Sequence, residues 1–195
     1  MNKKNIKIIP AEITHVKELA TLHIRAWQEA YKNIVPQEIM SSLSIEGRTK
    51  AFTEAIHGKS KNTYSCMLNN VVIGFVTLGN CRDSDINNAG EIWGIYLDPK
   101  FWRTGIGTEL ANWAIDYLKQ SGFNKIILWV FKDNLPSRKF YESIEYVVGS
   151  LLKTISEEMR KNQIKLKIQH SIWISIYKLL TPKFYCLFYI EIISK

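Results

Sequence analysis

Residues 92–118 read I-W-G-I-Y-L-D-P-K-F-W-R-T-G-I-G-T-E-L-A-N-W-A-I-D-Y-L. An apolar strand is followed by a tight turn that contains glycine, and then by an amphipathic helix. The first backbone N–H groups of such a helix have no partner inside it, and they lie at the positive end of the helix dipole. The stretch therefore predicts a binding site for a phosphate group at the start of the helix.

Two glycines, Gly105 and Gly107, stand on either side of Ile106 at the predicted helix start. Because they lack Cβ atoms, phosphate oxygens can approach the backbone N–H groups closely. A dinucleotide-binding fingerprint would need a third glycine where Leu110 stands, and a Walker A loop would need Gly-Lys followed by Ser or Thr. Both are excluded, and Arg103 adds a positive charge to the turn that remains.

Gly94 lies inside an otherwise bulky strand. Glycine in a strand often marks a bulge or a close backbone approach. A bulge would leave N–H and C=O groups free for an extended ligand with amides of its own. A packing glycine under an aromatic ring explains the same residue equally well.

The order of the predicted elements indicates an α/β (α+β) fold with helices packed on a central sheet. The predicted strands are Ile6–Ile9, Tyr64–Leu68, Val71–Leu78, Glu91–Leu97 and Lys125–Phe131, with a further one starting at Tyr146–Val148. The predicted helices are Thr14–Lys32, Gln37–Leu43, Ile45–His57, Gly105–Gln120 and Pro136–Ser143. Asn69 and Asn70 separate two strands and predict a hairpin turn, because Asn tolerates positive φ.

The composition indicates a globular protein of about one domain, since the chain has 195 residues and 46% of them are hydrophobic. Three cysteines, Cys66, Cys81 and Cys186, lack metal-ligand spacing and favour reduced thiols in a cytoplasmic protein. We expect neither a signal peptide nor a membrane span, because no apolar stretch approaches ~20 residues.

The net charge of +8 is concentrated in residues 149–195, which carry 8 Lys or Arg against 3 Asp or Glu. No Arg- or Lys-rich helix and no RNA-binding sheet motif appears in the sequence. Nucleic acid is therefore not the expected partner, and a basic protein that acts on it stays a minor alternative.

Asn134 and Tyr141 follow the last buried strand. Asn134 could hydrogen-bond a ligand at the strand end, or it could cap the next helix. Tyr141 is a candidate for proton transfer to a departing thiolate, and a core aromatic with a satisfied hydroxyl is the alternative.

Three stretches carry a resemblance that covers roughly Ile6 to Val148: E-I-W-G-I-Y-L-D-P-K-F-W-R-T-G-I-G from Glu91, N-L-P-S-R-K-F-Y-E from Asn134, and H-I-R-A-W-Q-E-A-Y-K-N-I-V-P from His23. Together they resemble the GNAT superfamily of acetyl-CoA-dependent N-acetyltransferases. The resemblance implies a mixed, mostly antiparallel central sheet flanked by helices. It also implies direct attack of a small-molecule or peptide amine on the thioester, with acetyl-CoA as co-substrate and without a metal.

The resemblance implies a role for each matching residue. The backbone of Ile95, Tyr96 and Leu97 would hold pantetheine. The pyrophosphate would lie in the turn formed by Arg103, Thr104, Gly105, Ile106, Gly107 and Thr108. Asn134 and Ser137 would contact the cofactor arm, and Tyr141 would protonate the thiolate. Glu91 matches an acidic position that in many members of the family helps to deprotonate the amine, often through water. The alternative is that Glu91 is an exposed strand-end carboxylate.

Two positions depart from the family pattern. Trp102 stands where Gln or Arg is frequent, which predicts that one polar contact to the phosphates is missing. Glu145 stands where the pattern predicts glycine, and it would be strained if the backbone there had positive φ.

The resemblance stops after Val148, so residues 1–148 are the predicted catalytic domain and residues 149–195 a divergent tail. The tail could complete the sheet, since I-K-L-K-I at 164–168 alternates with period two. It could also be an interaction surface or an out-of-frame ending. An acyl-CoA-binding module without turnover is the alternative function, and a homodimer is a further expectation.

Overall fold

The computed structural model describes residues 6–58, 62–82, 86–128, 130 and 133–148. The strands are β1 (Ile6–Pro10), β2 (Thr63–Leu68), β3 (Val71–Asn80), β4 (Ala89–Leu97) and β5 (Lys125–Leu128). The helices are α1 (Val16–Tyr31), α2 (Gln37–Ser41), α3 (Ile45–His57), α4 (Ile106–Gln120) and α5 (Leu135–Val148), with short 3-10 helices at Ile13–His15 and Pro99–Phe101.

The five strands form one mixed sheet in the order β1-β2-β3-β4-β5. Pairing is antiparallel from β1 to β4 and parallel between β4 and β5. Antiparallel neighbours need only short turns, whereas the parallel pair needs a crossover, which α4 supplies. The predicted α/β fold with a mostly antiparallel sheet is confirmed.

Helices pack on both faces of the sheet, and an apolar core lies between the helices and the sheet on each face. Ile92, Ile95 and Leu97 of β4 pack in one core with the apolar face of α4 and with Phe140 and Ile144 of α5. Tyr96 belongs to the other core, which contains the buried faces of α1 and α3. Alternate residues of β4 therefore face opposite layers, as a strand requires.

Local sequence signals agree with several element boundaries. Asn69 and Asn70 have φ of 51° and 63°, so the predicted hairpin turn between β2 and β3 is confirmed. The Ser44 side chain accepts a hydrogen bond from the Gly47 N–H at 2.9 Å and caps α3.

The prediction of a strand starting at Tyr146–Val148 is wrong, because α5 continues through Val148. Phe140 and Ile144, four residues apart, extend the apolar face of the helix into the core. No Gly or Pro after Pro136 interrupts it. The expected strain at Glu145 is wrong for the same reason, since its backbone is helical. The predicted end of β5 at Phe131 and the tail of residues 149–195 lie outside the described residues.

None of the helices in the described part of the chain combines the length and the apolar character that crossing a bilayer requires.

A buried histidine, His23, lies between the sheet and the α1/α3 layer and is 1% exposed. Its ring centroid is 4.5 Å from that of Tyr96, and Phe52 and Phe75 flank it. Neither ring nitrogen has a hydrogen-bond partner within the described residues. Burial, assisted by the positive charge of Arg48, lowers the pKa of His23 well below 6.5.

We expect His23 to make the fold sensitive to acid. Below pH 6.5 the unfolded chain binds a proton that the folded chain refuses, so the free energy of unfolding falls as the pH falls toward the folded pKa. The slope from this group reaches about 1.4 kcal/mol per pH unit. Urea unfolding across this range should show a flatter pH profile for His23→Leu than for the wild type. A pH profile of His23→Leu with the same slope as that of the wild type would contradict the assignment.

Candidate functional site

A β-bulge interrupts β4 at the glycine that the sequence singled out. Thr77 of β3 pairs with Gly94, while the next residue, Leu78, pairs with Ile92. Trp93 is therefore the extra residue of the bulge. The predicted bulge is confirmed, and it changes the direction of β4 halfway along the strand.

Among the described residues, no strand pairs with the β5 side of β4 beyond Ile92, immediately before the bulge, and we call this part of β4 the open edge. β4 pairs with β5 from Ala89↔Lys125 to Ile92↔Leu128, and within residues 86–128 the ladder between the two strands ends there. The carboxyl half of β4 thus presents one edge that β5 does not cover.

The register decides which backbone groups point to this open edge. The N–H of Asp98 donates to the Ile73 carbonyl at 2.9 Å, across the β3 side. Because consecutive residues of an antiparallel strand alternate, Tyr96 also faces β3, whereas Ile95 and Leu97 direct their N–H and C=O groups to the open edge. Of the three predicted strand residues, the structure brings two to this edge.

The turn after β4 forms the predicted helix start. Arg103 has φ of 59° and Gly105 has φ of 85°, both in the left-handed region. Gly105 is the N-cap of α4, and its carbonyl accepts the first helical bond from the Glu109 N–H at 3.1 Å. The N–H groups of residues 106–108 precede the first helical donor, so they are oriented outward from the helix end.

A cavity of about 540 Å³ lies between this turn, the end of β4 and α5. Its lining residues are Leu97, Arg103, Gly105, Gly107, Thr108, Phe140 and Ser143. Thr104 instead donates its hydroxyl to the Phe101 carbonyl at 2.7 Å, and the Ile106 side chain lies in the core. The open edge and the helix start therefore share one cavity through Leu97.

The start of α5 buries two polar side chains. Asn134 is 1% exposed and Ser137 is fully buried. The Asn134 Oδ1 accepts from the Ser137 N–H at 3.2 Å, so the predicted capping role is confirmed. Asn134 Nδ2 and Ser137 Oγ have no hydrogen-bond partner among the described residues, which is costly unless a ligand or water supplies one. Tyr141 follows Ser137 by four residues, hence on the same helix face, and is half-buried.

The carboxylate of Glu91 is held by Arg82. It accepts from the Arg82 backbone N–H at 2.8 Å and from the side-chain Nε and Nη2. Glu91 is 1% exposed, so the alternative of an exposed strand-end carboxylate is wrong. The Arg82 guanidinium also lies 5.3 Å from the Trp93 ring centroid, and Trp93 donates to the Asn80 carbonyl at 3.2 Å. The ion pair thus holds Arg82 beside the bulge.

Sequence reasoning missed three of these features. Phe140 and Ser143 line the cavity. Phe140 is three residues after Ser137 and Ser143 is three residues after Phe140, so helical spacing could have indicated them in turn. Arg82 stands in a polar loop nine residues before its partner, and nothing in the loop marks it as that partner.

Comparison with family models gives a match between residues 21–146 and the model described as "Acetyltransferase (GNAT) family". The "Uncharacterized N-acetyltransferase YuaI" of Bacillus subtilis is 28% identical over 140 residues, which are 71% of this chain and 78% of the relative. The "Uncharacterized N-acetyltransferase MJ1207" of Methanocaldococcus jannaschii is 34% identical over 92 residues, 46% of this chain and 41% of that protein.

Solved structures share the fold. The PaiA N-acetyltransferase of Thermoplasma acidophilum, solved in complex with coenzyme A, aligns with a TM-score of 0.58 and 22% identity, over 71% of this chain and 87% of that one. An N-acetyltransferase of Staphylococcus aureus Mu50 aligns with a TM-score of 0.53 and 22% identity, over 71% and 81%. At these identities the likeness concerns the arrangement of helices and strands.

Proposed function

Since the chain belongs to the GNAT family of acetyltransferases, we propose that it transfers an acetyl group from acetyl-CoA to a primary amine of a small molecule or peptide. The observation that carries the proposal is the junction at Leu97. There the uncovered edge of β4 and the N-terminus of α4 open into the same cavity. An extended diamide arm that ends in a diphosphate matches this combination of a strand edge and a helix start.

The residues present fit coenzyme A. The Leu97 N–H and the Ile95 carbonyl would pair with the amides of pantetheine, as a neighbouring strand would, and the Ile95 N–H would remain for the thioester oxygen. The N–H groups of residues 106–108 and the charge of Arg103 would hold the pyrophosphate. Asn134 Nδ2 and Ser137 Oγ, both buried without a described partner, would donate to the arm.

The reaction then needs little from the protein besides positions and protons. Acetyl-CoA supplies an activated thioester carbonyl, and the amine attacks that carbon while the thiol leaves. The Ile95 N–H would stabilise the developing oxyanion, and Tyr141 would give a proton to the thiolate. Both oxygens of the Glu91 carboxylate accept hydrogen bonds from Arg82. We therefore propose that the amine proton reaches Glu91 through water rather than by direct contact.

Two measurements test the function. Calorimetry should show micromolar binding of acetyl-CoA to folded protein, and a panel of primary amines should then be screened for release of free thiol. Absence of binding would overturn the proposal. Binding without thiol release in any mixture would favour the second candidate, an acyl-CoA-binding module, which the engagement of Glu91 by Arg82 supports.

Asn134→Asp should separate the two roles of this side chain. The carboxylate keeps an oxygen that can cap the Ser137 N–H, but the buried Nδ2 donor is lost. We expect CoA affinity to fall about tenfold, as the loss of one hydrogen bond implies. The carboxylate replaces a side chain that is 1% exposed, so the variant should also be less stable, and its CoA affinity is measured at a temperature where it is folded.

Ser44→Ala is the matched control, because Ser44 caps α3, which packs in the other core. It should lower the stability and leave CoA affinity unchanged. Equal CoA affinity of Asn134→Asp and wild type would remove Asn134 from the proposed site.

A further inference from the structure

We infer that Trp102 is a positioning residue that latches the phosphate-accepting turn to the open edge of β4; the inference rests on the proposed function. The Trp102 indole Nε1 donates to the Leu97 carbonyl at 2.8 Å. By the strand register, that carbonyl belongs to the edge that faces away from β3. The bond therefore joins the turn to the strand at the point where each would meet the ligand.

Other hydrogen bonds and an ion pair hold the segment between Leu97 and Trp102. Asp98 accepts from the Lys100 N–H at 3.0 Å and forms an ion pair with Arg25 of α1. The Trp102 N–H donates to the Pro99 carbonyl at 3.2 Å. These bonds shape the 3-10 helix, and the indole bond ties the turn back to β4. Because Arg103 directly follows Trp102 in the chain, the bond also sets the distance between Leu97 and Arg103. Arg103 lines the cavity, and its backbone is in the left-handed region.

The latch also limits how a ligand can pair with the strand. Because the indole already donates to the Leu97 carbonyl, a ligand donor would have to share that oxygen, whereas among the described residues no bond is recorded to the Leu97 N–H or to the Ile95 backbone groups on the open edge. The latch therefore favours the register in which a diamide arm pairs with the Leu97 N–H and the Ile95 carbonyl, with its reactive end extending toward the bulge at Trp93. The departure from Gln or Arg at Trp102 thus replaces a contact to the ligand by a contact that fixes the turn.

Trp102→Phe removes the donor and keeps an aromatic ring. Three probes separate the consequences: CoA spans strand and turn, ADP carries only the diphosphate half, and pantetheine carries only the strand-like arm. A latch aligns two half-sites, so its loss should weaken CoA about fivefold while ADP and pantetheine each stay within about twofold of wild type. Affinities are measured by calorimetry, with competition for the weaker probes.

The control is Trp113→Phe, since Trp113 is a half-buried indole of α4 that stacks on Tyr117, 5.3 Å away, and does not line the cavity. It should bind all three probes as the wild type does. A Trp102→Phe protein that binds CoA like the wild type, or that weakens all three probes equally, would overturn the latch while the proposed function stands. A wild type that fails to bind CoA would overturn both.

A second measurement needs no ligand and is made on the wild-type protein. The indole N–H of Trp102, assigned in an NMR spectrum of the wild type by its absence in Trp102→Phe, should exchange with solvent more slowly than that of Trp113. Faster exchange at Trp102 would contradict the hydrogen bond on which the inference rests.

Discussion

Replacing Tyr141 by phenylalanine is expected to lower the rate constant for acetyl transfer by about 10²- to 10⁴-fold, the range for loss of a general acid. Tyr141 lies on α5, on the same helix face as the buried Ser137, and its ring is half-buried against Phe140, with centroids 5.4 Å apart. The ring would be preserved in the variant. Only the proton donor for the departing thiolate would be lost.

The measurement is the turnover number with saturating amine, together with CoA affinity from calorimetry. Affinity should stay within about threefold of wild type, because a group that acts in the transition state contributes little to ground-state binding. Tyr117→Phe is the control, because it also removes a half-buried tyrosine hydroxyl. The Tyr117 hydroxyl accepts a hydrogen bond from Tyr64 of β2 at 2.6 Å, so it lies on α4 rather than on α5. Turnover of Tyr141→Phe equal to that of Tyr117→Phe would remove Tyr141 from the chemistry.

The phosphate-accepting turn could be predicted from the sequence because its physics is local. A strand, a left-handed glycine and an amphipathic helix are adjacent in the chain, so spacing alone places the N–H groups. The hairpin at Asn69 and Asn70 followed from the same kind of signal. The bulge at Trp93 was indicated by Gly94, although a packing role explained that glycine equally well until the register was known.

Other parts of the site could not be predicted, because they depend on contacts between distant residues. The pairing of Glu91 with Arg82 requires the β3–β4 loop to fold back on the strand. The direction of the Tyr96 backbone depends on the register with β3, and a shift of one residue would reverse it. The continuation of α5 through Glu145 reflects burial of Ile144 in the core, which outweighed the turn expected from the family pattern.

Gly105→Ala is expected to weaken CoA binding by about 30- to 100-fold, equivalent to about 2–3 kcal/mol. Gly105 has φ of 85°, where an alanine costs about 1–2 kcal/mol. A Cβ built there meets no atom within 4 Å, because it extends into open space beside the cavity that Gly105 lines. The methyl group would thus be tolerated without ligand and would obstruct a diphosphate. A backbone that relaxed to negative φ would instead turn the first N–H groups of α4 away.

Gly122 provides a control with the same backbone conformation at the other end of α4. Its φ is 92°, and a Cβ there also meets no atom within 4 Å. Gly122→Ala should therefore lower the melting temperature about as much as Gly105→Ala does, while CoA affinity stays at the wild-type value. Calorimetry at a temperature where both variants are folded separates the cost of left-handed backbone, which they share, from obstruction of the phosphate site, which only Gly105→Ala introduces. Equal CoA affinity of the two variants would mean that the diphosphate is bound elsewhere, and the cavity beside α4 would lose its assigned role.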